Sequence, residues 1–495
     1  MTKPRDPVPA GGGTRRPHEL DHLASSRRSA KAHSTRRTVP PRGLTDRIVW
    51  RAIGDLKEFP GNPRRHPDSQ IASLMKNIQL VWTNPILVDE TSTILAGHGR
   101  LEAARRLGMT EVPTVTITGL SASEKRAVVI ADNRLPERAV WDFDLLRRHF
   151  ENLIEIDFDV ELTGFSTGEV DLLMDGAPTS VAADPADDLT GLALDGPAIC
   201  RAGDVWEFGR HRLICGDARQ GDSYERLLQG ELAQMVVTDP PYNVPIDGYA
   251  MGRGKVRHRE FEMASGEMSE AEFTSFLERF IRCTVKFSHD GSIHYVFMDW
   301  RHLPELLNAA RPLYAEWKNL LVWNKTNAGQ GSFYRSKHEL IAVFKNGVQA
   351  NINNFGLGGQ GRYRANVLDY PGVNSLHPAR RGDLDLHPTT KCTALIADLI
   401  RDCSRRNGII LDPFGGSGTT MIAAERTGRI SRLIELDPLY ADLTIRRWQR
   451  ITGIPVRHAQ SQQSFAELAV RRGDETNCSN PPATAPRNPA RTKKG

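Results

Sequence analysis

The apolar run Met235-Val236-Val237-Thr238 leads straight into Asp239-Pro240-Pro241-Tyr242-Asn243. A short run bounded by turn residues predicts a buried parallel strand, here with a carboxylate at its end. The prolines fix φ, so Asp239, the carbonyl of Pro240, Pro241 and the Tyr242 ring are held rigidly outward together. A second run, Ile409-Ile410-Leu411-Asp412, passes into Pro413-Phe414-Gly415-Gly416-Ser417-Gly418, and a helix is predicted from Thr419 to Arg426. Gly416 and Gly418 allow backbone to touch a ligand without Cβ atoms in the way. A third run, Leu433-Ile434-Glu435-Leu436-Asp437, carries a carboxylate, Glu435, placed to hold ribose hydroxyls. Met421 stands where the third glycine of G-x-G-x-x-G would fall, and no G-x-x-x-x-G-K-[ST] occurs. Dinucleotides and ATP are therefore poor fits.

Strands that alternate with helices imply an α/β unit with a buried sheet. Taken together, these stretches resemble the amino-methyltransferases of DNA, and the order of the two motifs is similar to that family's permuted β class. The resemblance covers about residues 199 to 455. It implies a Rossmann-like domain and S-adenosylmethionine as cofactor. In the family's chemistry, Asp239 and the Pro240 carbonyl would accept hydrogens from an exocyclic amine, and Tyr242 would face a base drawn out of the duplex. Asp412, Phe414, Gly416, Gly418, Thr419 and Glu435 would line the cofactor cleft. The resemblance also carries Asp217, in Gly216-Asp217, over to the adenine contact. His387-Pro388-Thr389-Thr390-Lys391 resembles the motif that borders the methionine end, although Cys392 follows where the family usually has proline. Aspartate rather than serine at position 239 leans towards adenine N6 and leaves cytosine N4 open. Two rivals stand beside this reading: an RNA methyltransferase, and a DNA-binding adaptor whose methyltransferase half is inactive.

The rest of the chain divides around this unit. Its 495 residues exceed one core. Residues 1–45 read as a disordered basic arm, 46–175 as a smaller α+β domain, 176–198 as a linker without apolar anchors, 199–460 as the methyltransferase-like domain and 461–495 as a largely disordered basic tail. In the second segment, Gly97-His98-Gly99-Arg100 predicts a tight strand-to-helix turn with Arg100 near a helix N-terminus, which suits an anion or nucleotide. This stretch, with Asp132-Asn133-Arg134, resembles the N-terminal ParB domain of partition proteins and their nuclease-like relatives. His98 and Gly99 replace that family's Glu-Arg pair, and no helix-turn-helix module is expected after it.

Composition narrows the remaining classes. A net charge of +5 is mild. No run of about 18 apolar residues occurs, so no membrane span is expected. Six cysteines without a C-x-x-C pair argue for a reducing compartment and against zinc. The expected setting is a bacterial or phage-encoded cytoplasmic protein acting on double-stranded DNA, with a homodimer left open. Residues 248–266 are expected to form a basic loop, and 345–386 an insert that reads DNA. Phe273, Phe276, Leu277, Phe280 and Ile281 share one helix face and read as core.

Overall fold

A computed structural model describes residues 47–175, 184–192, 196–244, 266–326, 334–355, 364–372 and 391–479. The N-terminal domain contains β1 (Val49–Ala52), α1 (Asp68–Leu80), β2 (Ile86–Val88), β3 (Ile94–Ala96), α2 (His98–Arg106), β4 (Glu111–Thr116) and α3 (Ala122–Arg134). Its four strands form one sheet in the order β1-β4-β2-β3. Ile86, Val88, Ile94, Leu101 and Val112 make its core. Gly97 adopts φ 99°, a left-handed conformation that turns β3 directly into α2. Two further helices follow, α4 (Phe143–Glu155) and α5 (Thr167–Asp175), with Phe150, Val160 and Val170 packed between them.

The second domain is built on one ten-stranded sheet. Its elements are β5 (Val205–Phe208), β6 (His211–Cys215), α6 (Gly221–Leu228), β7 (Ala233–Thr238), α7 (Glu270–Lys286), β8 (Ser288–Met298), α8 (Leu303–Ala310), β9 (Glu316–Asn324) and β10 (His338–Lys345). They continue with β11 (Val367–Asp369), α9 (Thr393–Cys403), β12 (Ile409–Asp412), α10 (Thr419–Arg426), β13 (Ile430–Glu435), α11 (Pro438–Thr452), β14 (Arg457–His458) and α12 (Phe465–Ser479). The strand order is β11-β9-β10-β8-β7-β12-β13-β6-β5-β14. The stretch β8-β7-β12-β13-β6 is parallel, and β10 joins it antiparallel. This is a Rossmann-like α/β domain preceded by a smaller α+β domain.

The order of the strands places the cleft. β7 and β12 are neighbours, yet the chain leaves β7 through α7 towards β8 and leaves β12 through α10 towards β13. The two connections diverge, so a crevice opens at the carboxyl ends of these strands. The apolar stripe on α7 is indeed core, packed with Val296, Met298 and Phe344.

Three expectations are corrected. Residues 184–192 are not a loose linker: Ala186 is buried with Trp448 and Met421, and Leu189 and Leu192 pack on Leu443. The C-terminal segment is ordered beyond residue 461, since α12 seats Phe465 and Leu468 in the core and pairs Arg472 with Asp204 at 2.5 Å. Part of the expected insert is a sheet edge, because β11 pairs in parallel with β9. Most of the basic loop, the arm and the stretch His387 to Thr390 lie outside the described residues. No described helix is long and apolar enough to cross a membrane.

Candidate active site

The turn after β7 and the glycine loop after β12 face each other across one cleft. The strands are tied at its floor, where Thr238 Oγ1 donates to Asp412 Oδ1 at 3.0 Å. Asp412 also accepts from Thr420 Oγ1 at 2.7 Å and from the backbone N–H of Phe414 at 3.1 Å. Its carboxylate thus holds the turn together, and burial pushes it up to about 7. Of the residues expected at the site, Asp239, Pro240, Pro241, Tyr242, Asp217, Lys391, Asp412, Phe414, Gly416, Thr419 and Glu435 all line the cleft. Gly418 does not: its missing Cβ would lie 2.6 Å from Thr444 Cγ2, so this glycine serves packing. At Gly416, φ is 52° and a Cβ would meet nothing within 4 Å, so the loop presents open backbone to the cleft.

Glu435 closes the opposite wall. Its carboxylate accepts the N–H of Gly416 at 2.7 Å and of Asp437 at 2.9 Å, and burial still pushes it up to about 8. Asp217 is engaged by the Arg219 guanidinium at 2.7 Å and 2.9 Å; burial alone would raise it, but this partner holds it below the ordinary range. The aromatic wall is Phe414, set edge-on to Phe280 at 5.1 Å, with Phe276 beside it.

At the acceptor turn, Tyr242 donates its hydroxyl to Asp239 Oδ1. Lys391 Nζ sits 2.8 Å from Asp239 Oδ2, 3.1 Å from the Tyr242 oxygen and 2.7 Å from Glu339 Oε2. Lys325 pairs with the other oxygen of Glu339. Burial would depress Lys391, but the two carboxylates hold it above the ordinary lysine value. Burial also drives Asp239 up, against the pull of that ammonium. The lysine expected at the cofactor's methionine end thus sits on the Asp239 carboxylate.

Sequence reasoning missed several residues. Glu339, the second residue of β10, is a lone carboxylate in front of Leu340-Ile341-Ala342-Val343, a pattern that is usually just a strand end. Phe276, on the apolar face of α7, is core and also lines the cleft. Arg447 is fully buried and donates to the Ser417 carbonyl at 2.9 Å, to Thr419 Oγ1 at 2.9 Å and to the Ala186 carbonyl at 2.8 Å. Asp187, 3.7 Å from that guanidinium, accepts the Thr393 N–H at 3.1 Å. Nothing in the sequence joins positions so far apart.

In the N-terminal domain, Arg100 is half-buried under Gly97, and Arg100 Nε and His98 Nε2 are buried without a hydrogen-bond partner. Burial lowers Arg100 from its ordinary value, opposed only by the charge of Asp132. Cys200, Cys215, Cys283, Cys392 and Cys403 are free thiols, and among the described residues no cluster could hold a metal.

The fold and cleft define a Rossmann-like enzyme class with a rigid acidic turn facing a glycine loop. Residues 233–446 match the family model of N6/N4 methyltransferases described as DNA methylase, and 144–202 match the ParB-methyltransferase HTH domain. The chain thus carries an N6/N4 DNA methylase domain, preceded by a ParB-like domain. The helix-turn-helix match overturns the expectation that no such module follows the ParB-like domain, and it runs across the boundary expected at residue 175. The chain is 42% identical over 81 residues to the ParB-like nuclease domain-containing protein YnaK of Escherichia coli (strain K12), covering 16% of this chain and 93% of that one. It is 26% identical over 298 residues to the DNA adenine methyltransferase YhdJ of the same organism, covering 53% and 93%. A crystal structure of an M1.HpyAVI–SAM complex aligns at 19% identity and TM-score 0.34, covering 46% and 95%.

Proposed function

We infer that the protein methylates an exocyclic amine of a base in double-stranded DNA, with S-adenosylmethionine as donor and adenine N6 as the preferred acceptor. The observation that carries this reading is that Asp239 and Pro240 line the same cleft as Gly416 and Glu435. The cleft suits the donor: open backbone at Gly416 admits close approach, and the buried Glu435 carboxylate is an acceptor for paired hydroxyls. When bound, the donor supplies a methyl group on a positively charged sulfur.

The amine of adenine is a poor nucleophile because its lone pair is delocalised into the ring. Asp239 and the Pro240 carbonyl accept its two hydrogens and draw the nitrogen towards tetrahedral geometry, which frees the lone pair. This is electrostatic preorganisation, since the turn is fixed by Pro240 and Pro241 before the base arrives. The Tyr242 ring gives the extruded base a face to stack on. Aspartate at position 239 and the likeness to a relative named as an adenine methyltransferase both favour adenine over cytosine N4.

The ParB-like domain and the helix pair after it supply DNA contacts and no chemistry in this reading. The unpartnered Arg100 Nε suits a phosphate oxygen. The test is transfer of labelled methyl groups from S-adenosylmethionine to duplex DNA, single strands and RNA, followed by mapping of the modified base. N6-methyladenine in duplex DNA is expected. Modification of cytosine N4, or of RNA alone, would replace this reading.

A further inference from the structure

The acceptor carboxylate is already in use. Tyr242 donates to one oxygen of Asp239, and the Lys391 ammonium lies 2.8 Å from the other. Lys391 is buried, and its charge is shared with Glu339 at 2.7 Å and with the ring faces of Tyr242 and Phe297, 5.3 Å and 5.1 Å from their centroids. A target amine that needs an Asp239 oxygen meets a cation occupying that oxygen. A buried ammonium released with no carboxylate left beside it would be strongly disfavoured. Glu339 removes that obstacle, because it stands on the other side of Lys391 and is itself held by Lys325.

We propose that Lys391 is a placeholder on the acceptor carboxylate and that Glu339 is the positioning residue that receives it when the target amine binds. In the productive complex the amine N–H replaces the ammonium at Asp239 Oδ2, and Lys391 remains paired with Glu339 alone. The exchange trades one donor for another at Asp239, which keeps the Tyr242 hydroxyl on its other oxygen, and the Lys391 ammonium keeps a carboxylate beside it. Glu339 touches neither substrate nor donor. This inference rests on the reading of Asp239 as the amine acceptor.

The test uses the full chain. Glu339→Gln leaves Asp239 as the one carboxylate on Lys391, so the placeholder is fastened where the amine must bind. The expected result is single-turnover methyl transfer slowed on the order of tenfold or more, with S-adenosylmethionine affinity and melting temperature close to wild type. Glu339→Asp, which keeps a carboxylate, should recover part of the rate. The double variant Glu339→Gln with Lys391→Gln should be faster than Glu339→Gln alone, because no cation is left on Asp239. A merely structural Glu339 predicts the reverse order, with the double variant slower. A wild-type rate for Glu339→Gln, or a loss explained wholly by donor affinity or melting temperature, would overturn the proposal. If Asp239→Ala is active, the reading of the site fails; if that variant is dead and Glu339→Gln is fast, the placeholder alone fails.

Discussion

Asp171 of α5 and Arg429, which precedes β13, form an ion pair at 2.8 Å with both side chains almost wholly buried. Arg429 also donates to the Ser404 carbonyl and hydroxyl and to the Thr427 carbonyl, so its guanidinium is fixed on the methyltransferase side. Removing Asp171 leaves a buried charge whose only carboxylate among the described residues is gone. Asp171→Ala should therefore destabilise the protein by about 3–5 kcal/mol in denaturant unfolding. Pairing it with Arg429→Met should restore much of that loss, because the stranded charge goes too.

The segment 184–192 makes a second joint. Asp187 caps the N-terminus of α9 two residues after Lys391, and Arg447 ties the Ala186 carbonyl to the glycine loop at Ser417. Asp187→Ala is expected to weaken S-adenosylmethionine binding in calorimetry as well as lower the melting temperature, because both walls of the cleft lose their common brace. A chain beginning at residue 199 loses Asp171 and Asp187 together and leaves Arg429 and Arg447 without them. It should melt well below the full chain, against the reading of 176–198 as a linker without apolar anchors.

The two glycines should part company. Gly416→Ala adds a methyl into the open cleft, so donor affinity should fall while the melting temperature moves little beyond the cost of a left-handed φ, about 1–2 kcal/mol. Gly418→Ala drives a methyl into Thr444 and should instead lower the melting temperature markedly. Equal effects on both measurements would deny Gly416 its place at the ligand.

These contrasts show what the sequence makes legible. The strand-turn signals at Asp239, Asp412 and Glu435 are local, and their apolar runs can only be buried strands, so the cleft could be read from three short stretches. Gly416 and Gly418 look alike in sequence, and only the position of Thr444, on a helix beyond β13, separates ligand approach from packing. Lys391 was legible as part of a motif, but its partner is set by β10, far away in the chain. The brace of Ala186, Asp187 and Arg447 was invisible for the same reason: a Pro- and Asp-rich stretch reads as a linker until something buried needs its carboxylate.

Glu435 makes donor binding depend on pH. Its pKa is raised by burial to about 8, so the unliganded site holds a proton at neutral pH. Ribose hydroxyls donate to the ionised carboxylate, so binding favours loss of that proton. Affinity for S-adenosylmethionine should rise with pH up to about 8, by at most about tenfold per unit, and then level. The same shift costs the unliganded fold stability as pH climbs from 4.5 to about 8, since the unfolded chain ionises first. Glu435→Gln should bind more weakly and lose this component of both dependences, as measured by calorimetry and melting across pH 6 to 9.

The account stands on Asp239 as the group that activates the amine. The direct measurement is single-turnover methyl transfer to duplex DNA by Asp239→Ala, with S-adenosylmethionine affinity measured on the same protein. The expected result is a rate lowered by at least about 100-fold with donor affinity nearly intact, because the carboxylate faces the acceptor and not the donor. A variant that transfers methyl at the wild-type rate, or whose whole defect is lost donor binding, would contradict it.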